Sequence, residues 1–284
     1  MNPLLTAPRA PRRPEVLRAA QATAFVGVWV ALGFAFHLSA NAYLLLGVPL
    51  TVAFQLGIRR RAWLTAWVAE APKPRRLPLL LVVALALAAY PAHELLFPGR
   101  PPGAAVRLWL ACAVVGAFGA AYGATLATKR TWRDLACCVL VAGGAGAGLM
   151  VLSALALHLG QGKPWAPPGR MLHAFVTSLA KYVPVIFVLE EVTFRGVLDA
   201  HLEPSRNPKA YGTATIVACL WGLWHLPVVP DDGRGLWLHV QSLVMVHVIT
   251  GVPLAVYWRR SGNLLVPGVA HALIDAVRNA ILRT

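Results

Sequence analysis

Acidic side chains are scarce in this chain: 11 Asp and Glu stand against 26 Lys and Arg in 284 residues. Charge of either sign is thin, at 13% of residues, while 58% are hydrophobic and the mean hydropathy is +0.62. Those figures exclude a disordered chain and argue against a soluble globular domain. Cysteine is scarce too. Cys112, Cys137, Cys138 and Cys219 all fall in apolar runs and form no Cys-x-x-Cys pair. A disulfide framework or zinc knuckle therefore has no support, and buried thiols acting as small hydrophobes are expected. There is no internal repeat. The run Gly143-Gly144-Ala145-Gly146-Ala147-Gly148 lacks the spacing of a phosphate loop and no strand precedes it, so helix packing is the better reading.

What the chain does have is long apolar runs, too long for barrel strands and of a length that crosses a bilayer as helix. The expected fold is all-α, a polytopic transmembrane helical bundle of eight or nine spans. Nine are readable, at 17–39, 41–58, 77–97, 104–127, 134–159, 170–202, 210–227, 236–258 and 264–282. Residues 1–16 read as a disordered basic tail, 17–160 as N-terminal transmembrane helices, and 170–282 as the core that carries the chemistry. A basic start, an apolar run from Ala24 to Phe36 and then Ala40-Asn41-Ala42 look like a signal peptide with its cleavage site. The length of the run and the span that follows at once favour an uncleaved helix instead. Trp63 and Trp67, beside Arg59 to Arg61, predict a short interfacial helix with an aromatic anchor. Gly119-x-x-x-Gly123 and Gly144-x-x-x-Gly148 predict close helix–helix approach.

The excess of basic residues invites a nucleic-acid reading, but their placement argues against it. Alternate loops hold 17 of the 26 Lys and Arg, among them Arg59, Arg60, Arg61, Lys129, Arg130, Arg133, Arg206, Lys209, Arg259 and Arg260. This is a topology signal, and it predicts a multi-pass cell-membrane protein with a cytoplasmic N-terminus. The lipid bilayer, with some attraction to anionic lipid, is the expected partner rather than nucleic acid.

Against so few acids, Leu189-Glu190-Glu191-Val192-Thr193-Phe194-Arg195-Gly196 stands out. From Met171 to Leu189 the one formal charge is Lys181. Carboxylates inside such a helix are costly and by default functional. On an α-helix Glu191 and Arg195, four apart, share a face with the acid N-terminal to the base, the favourable order. Glu190 is turned away and has no local partner. One carboxylate is thus neutralised by structure and the other is left for chemistry. Later spans bring Trp221-x-x-x-His225, then His239 and His247, and then His271-x-x-x-Asp275, whose two members again share a face. Counting rise per residue places Glu190, His225, His271 and Asp275 within about 11 Å of one another in membrane depth. His247 lies at a similar depth; His37, His93, His158, His173, His201 and His239 belong to no motif. Thr193 and Ser178 have no base at useful spacing, which disfavours a serine-type triad.

The ordered set Glu190-Glu191-x-x-x-Arg195, Trp221-x-x-x-His225, His271-x-x-x-Asp275 resembles the three motifs of the CPBP intramembrane proteases, which group CAAX-processing endopeptidases with bacteriocin-processing and bacteriocin-immunity proteins. Two positions depart from the usual pattern: Trp221 stands where Phe is common, and Asp275 where Asn is often found. The resemblance implies a glutamic-type intramembrane endopeptidase acting on a membrane-anchored or membrane-associated protein or peptide. Glu190, His225, His271 and Asp275 would be its catalytic residues, with Glu191 and Arg195 supporting. Hydrolysis without a Ser or Cys nucleophile needs an activated water and a stabilised oxyanion. A carboxylate kept from bulk water, as Glu190 would be, is a better general base, and an ionised Glu191 beside it strengthens that further. His225 and His271 would donate to the oxyanion or hold the water, and Asp275 would orient His271 or supply the hydrogen bond that Asn gives in relatives. Two histidines and several carboxylates are also a zinc ligand set, but no His-Glu-x-x-His occurs and Arg195 brings a cation close. No cofactor is therefore expected. The alternative function is a non-catalytic bacteriocin-immunity or scaffold-like membrane protein on the same fold. A proton-coupled transporter is disfavoured, because no matching pair of broken helices appears in two halves.

Overall fold

The computed structural model describes residues 13–74, 76–99, 102–162, 164–229, 233 and 235–282. Most of the basic tail, residues 1–12, lies outside them, as do Arg75, Arg100, Lys163, Asp231, Asp232 and Arg234. The described residues are mostly helical. In order come α1 (Arg13–Ala35), α2 (Ala40–Ala53) running into a π-turn (Phe54–Ile58), and a 3-10 turn (Trp63–Ala66). Next are α3 (Leu77–Leu96), α4 (Ala104–Thr125), α5 (Lys129–Cys138), a π-turn (Val139–Gly143) and α6 (Gly144–Gln161). The second half holds α7 (Pro168–Ile186), a π-helix (Val192–Asp199), α8 (Ala200–Leu202), α9 (Tyr211–Trp224), α10 (Leu236–Ser261) and α11 (Leu265–Leu282). Among the described residues there is no strand, only an isolated bridge between Val68 and Asn263.

Seven helices among the described residues are long and apolar enough to span a membrane, so the protein is an all-α multi-pass membrane bundle. Two of the nine spans read from sequence are not among those seven. The run 210–227 is an α-helix only over α9, 14 residues or about 21 Å. The run 170–202 is not one helix: α7 ends at Ile186, residues 187–189 turn, and a new helix starts at Glu190. Pro184 removes a backbone donor near that end. The free Phe187 carbonyl accepts from Trp67 Nε1 at 2.7 Å. Trp67 is therefore a buried clasp and not the surface anchor its spacing predicted.

α11 is the centre of the bundle. Of its span window 61% is buried, against 22–39% in the other six, and it packs on α7, α6, α5 and α10. Of the two small-residue pairs, Gly119 and Gly123 face Trp67 and the Asn263 side chain at close range. Gly144 and Gly148 face open space; the residue between them, Gly146, is the one pressed against Ile274. The sequence spacing was right for a close approach but placed it two residues off.

The helix that carries Arg195 is a π-helix rather than an α-helix, and its surroundings show why it can be. Every residue from Glu191 to Asp199 is buried. Arg59 donates to the Gly196 carbonyl at 2.9 Å, satisfying a backbone acceptor in the widened helix. A Cβ on Gly196 would stand 2.1 Å from the Ala66 carbonyl oxygen, backbone against backbone. Gly196→Ala is therefore expected to destabilise by about 1–3 kcal/mol. Thermal unfolding of the purified variant in detergent checks it, and an unchanged midpoint would show that the two segments part easily.

Several cations counted as loop charges prove to be structural. Arg259 Nη2 and Nε grip Asp199 at 2.6 and 2.9 Å with both side chains fully buried. Arg260 meets the buried Asp134 at 3.0 Å. A bidentate guanidinium–carboxylate pair is strong and directional. The first of these ties α10 to the end of the π-helix, and so holds the Glu190 segment in register with the rest of the bundle.

Candidate active site

Glu190 begins a helix after the turn at 187–189, and the residue four positions on is Phe194, so its side chain has no local i,i+4 ion partner. Its carboxylate is 14% exposed. Oε2 accepts a hydrogen bond from Trp221 Nε1 at 3.1 Å. The same oxygen stands 3.8 Å from His225 Nε2 and 3.9 Å from His271 Nε2. Side chains from the 190–202 helix, the C-terminal end of α9 and the middle of α11 therefore meet at one carboxylate oxygen. The aromatic at position 221 is not a spacer: with an indole it supplies a donor to Glu190, which phenylalanine lacks.

Each imidazole is held by its other nitrogen. His225 Nδ1 lies 2.9 Å from the Trp221 carbonyl, one helical turn back. His271 Nδ1 lies 3.0 Å from Glu191 Oε1. A carbonyl or carboxylate oxygen can only accept, so Nδ1 carries the proton in both rings and Nε2 is the nitrogen turned to Glu190. The hydrogen bond that orients His271 thus comes from Glu191 and not from Asp275. Asp275 Oδ2 stands 3.6 Å from His271 Nε2, and its other oxygen is paired with Arg278 at 3.0 Å.

Glu191 and Arg195 are both fully buried, with Oε2 to Nε 3.6 Å. The guanidinium lies 4.7 Å over the Trp221 ring, and its nitrogens find no hydrogen-bond partner among the described residues. The ion pair and the aromatic face together compensate its charge. Thr193, doubted as a nucleophile, bonds to the Leu189 carbonyl and to Thr51.

The cluster opens on a cavity of about 250 Å³ lined by Glu190, Trp221, His225, His271, Asp275 and Arg278 together with Ser242, Val246, His247 and Thr250 of α10. Two of these had little weight in the sequence. His247 packs edge-on against Trp221 and 4.4 Å, centroid to centroid, from His225. Arg278 belongs to none of the sequence motifs, although Asp275-x-x-Arg278 is a spacing that pairs charges on a helix. Glu190, His271 and Asp275 each offer an atom within 4.8 Å of the other two, a group that a divalent cation could bridge. Arg278 already sets a positive charge against Asp275 in that group.

Residues 168–277 match a family described as type II CAAX prenyl endopeptidase Rce1-like. That stretch is Rce1-like. It contains all six residues singled out in the sequence, from Glu190 to Asp275, and it fits the CPBP and CAAX protease grouping that the motifs resemble. The Rce1-like match supports a membrane protease, a hydrolase that cuts within polypeptide chains. Neither the curated proteins nor the solved structures yield a match.

Proposed function

We propose that this chain is a glutamic-type intramembrane endopeptidase in which Glu190 activates a water for attack on a peptide carbonyl. The observation that carries the reading is one carboxylate oxygen, Glu190 Oε2, flanked by two imidazole Nε2 atoms at 3.8 and 3.9 Å. A water at ordinary hydrogen-bond distance of about 2.8 Å from Oε2 can also reach either Nε2. Glu190 takes one proton as the water oxygen bonds to the carbonyl carbon. The carbon–nitrogen bond then breaks, and the same proton passes to the leaving amine, so the carboxylate is regenerated. His225, whose Nδ1 is spent on a backbone carbonyl, holds the water through Nε2. His271, fixed by Glu191 and flanked by Asp275, is placed to stabilise the oxyanion when it carries a second proton. Asp275, anchored by Arg278, favours that charged ring by simple attraction.

The substrate on this reading is a membrane-anchored or membrane-associated protein or peptide, and a prenylated C-terminus is the candidate that the family description supports. The distribution of Lys and Arg supports a cytoplasmic N-terminus in a cell membrane. The purified protein in lipid, offered a panel of membrane-anchored peptides with and without a prenyl group, should cleave at least one of them. Cleavage should be lost in His225→Ala. Activity that survives that change would remove His225 from the reaction, and a panel left uncut would favour a partner-binding membrane protein on the same bundle.

Hydrolysis through Glu190 needs no metal. Activity should therefore persist within about twofold after prolonged dialysis against a strong chelator, since no ligand worth a tenfold factor is withdrawn. Loss on dialysis, restored by added zinc, would put a cation between Glu190, His271 and Asp275 instead.

A further inference from the structure

A second cavity lies at the end of the bundle away from these reactive groups. It measures about 360 Å³ and is lined by Arg18 of α1, Arg59 and Arg61 after α2, and His201 and Arg206 from α8 and the loop behind it. Four guanidiniums from three separate stretches of chain converge there, and among the described residues no carboxylate is part of the wall. Arg206 Nη2 stands 3.5 Å from a Glu70 carboxylate that is 81% exposed, which is weak compensation in water. Arg18 Nε is cut off from solvent without a hydrogen-bond partner among the described residues. Arg59, beyond the α2 span, is held down to about 10, first by burial and then by the charge of Arg61. Both Arg60 and Arg206 have left-handed backbone, at φ 52° and 53°, a conformation that costs a non-glycine residue free energy and that clusters at functional sites.

Like charges gathered in a recess destabilise the fold unless an anion joins them. The neighbouring crevice indicates what kind. It shares Arg18 and Pro204 with the basic cavity, measures about 710 Å³, and is walled by Val16, Ala19, Leu202 and Ile216, with the acids Glu15 and Glu203 also in its lining. A cationic cup beside a crevice with an apolar wall along Val16, Ala19, Leu202 and Ile216 suits an amphiphile with a phosphate head and a hydrocarbon tail. We propose that the Arg18–Arg59–Arg61–Arg206 cavity binds the phosphate group of an anionic lipid whose chain lies along Ile216. This reading is independent of the hydrolytic one, since no residue is shared between the two sites.

The test uses the full chain in neutral detergent, with native mass spectrometry as readout. The probes are dioctanoyl phosphatidylglycerol, dioctanoyl phosphatidylcholine and inorganic pyrophosphate. The protein should prefer the glycerol lipid over the choline lipid by about tenfold, and Arg18→Gln with Arg61→Gln should erase that preference, at roughly 1 kcal/mol for each arginine. Ile216→Trp, on an exposed face of α9, should weaken the lipid and leave pyrophosphate unaffected. Should the double variant fail to fold, Arg61→Gln alone, at an exposed position, should lower the preference about fivefold. Pyrophosphate that binds with the same arginine dependence while the lipid does not would keep the phosphate site and make its ligand a free anion. Equal binding of both lipids with no pyrophosphate bound would overturn the proposal. So would an equal loss in Arg107→Gln, a basic residue on α4 outside both cavities.

Discussion

Glu190→Gln should lower the rate of peptide hydrolysis by about 10²–10⁴-fold, the range for loss of a general base, while the protein stays folded. The change removes a proton acceptor and little else. The carboxylate is partly exposed, and its one hydrogen bond comes from Trp221 Nε1, which an amide oxygen can still accept. The two imidazoles keep their own anchors on the Trp221 carbonyl and Glu191. Unfolding midpoints in the same detergent should therefore agree for the two proteins. Steady-state rates on the best peptide of the panel give the answer, and a variant that retains more than about a tenth of the wild-type rate cannot have lost its base.

The second large effect concerns the pair behind the site. Arg195→Met leaves the Glu191 carboxylate fully buried beside an apolar side chain, and breaking such a pair costs about 3–5 kcal/mol. Replacing both members, Glu191→Leu with Arg195→Met, should recover most of that stability, because two well-packed apolar groups need no compensation. Activity should not return with it. His271 would lose the oxygen that fixes its Nδ1 at 3.0 Å, and loss of an orienting partner costs a functional imidazole about 10–100-fold. Unfolding and peptide hydrolysis measured on the single and double variants separate the two roles. A double variant as active as the wild type would reduce Glu191 to a counter-ion for Arg195.

How far the sequence reached follows from which interactions are local. Membrane class came from apolar runs, and the pairing of Glu191 with Arg195 came from spacing alone. Both a π-helix and an α-helix return to about the same face after four residues, so the pair survived the error about helix type. The turn at 187–189 depends on Trp67, more than a hundred residues earlier, donating to the Phe187 carbonyl, and no local pattern announces that contact. The same holds for Arg259. Next to Arg260 at the end of an apolar run it reads as a loop charge, whereas its partner Asp199 sits on a different helix. Depth counting brought Glu190, His225, His271 and Asp275 to one level of the bundle. It could not tell which oxygen each imidazole faces, because that depends on how three helices are rotated about their own axes. Of the two roles expected for Asp275, orienting His271 is the one that Glu191 holds by geometry.

One measurement bears on the account most directly: a single turnover of the purified protein on a cleavable membrane-anchored peptide in water enriched with oxygen-18. If Glu190 draws a proton from the attacking water, the new C-terminal carboxylate carries one solvent-derived oxygen and the Glu190 side chain carries none. Label recovered in Glu190, or an acyl adduct trapped on it, would make that carboxylate a nucleophile and contradict the mechanism.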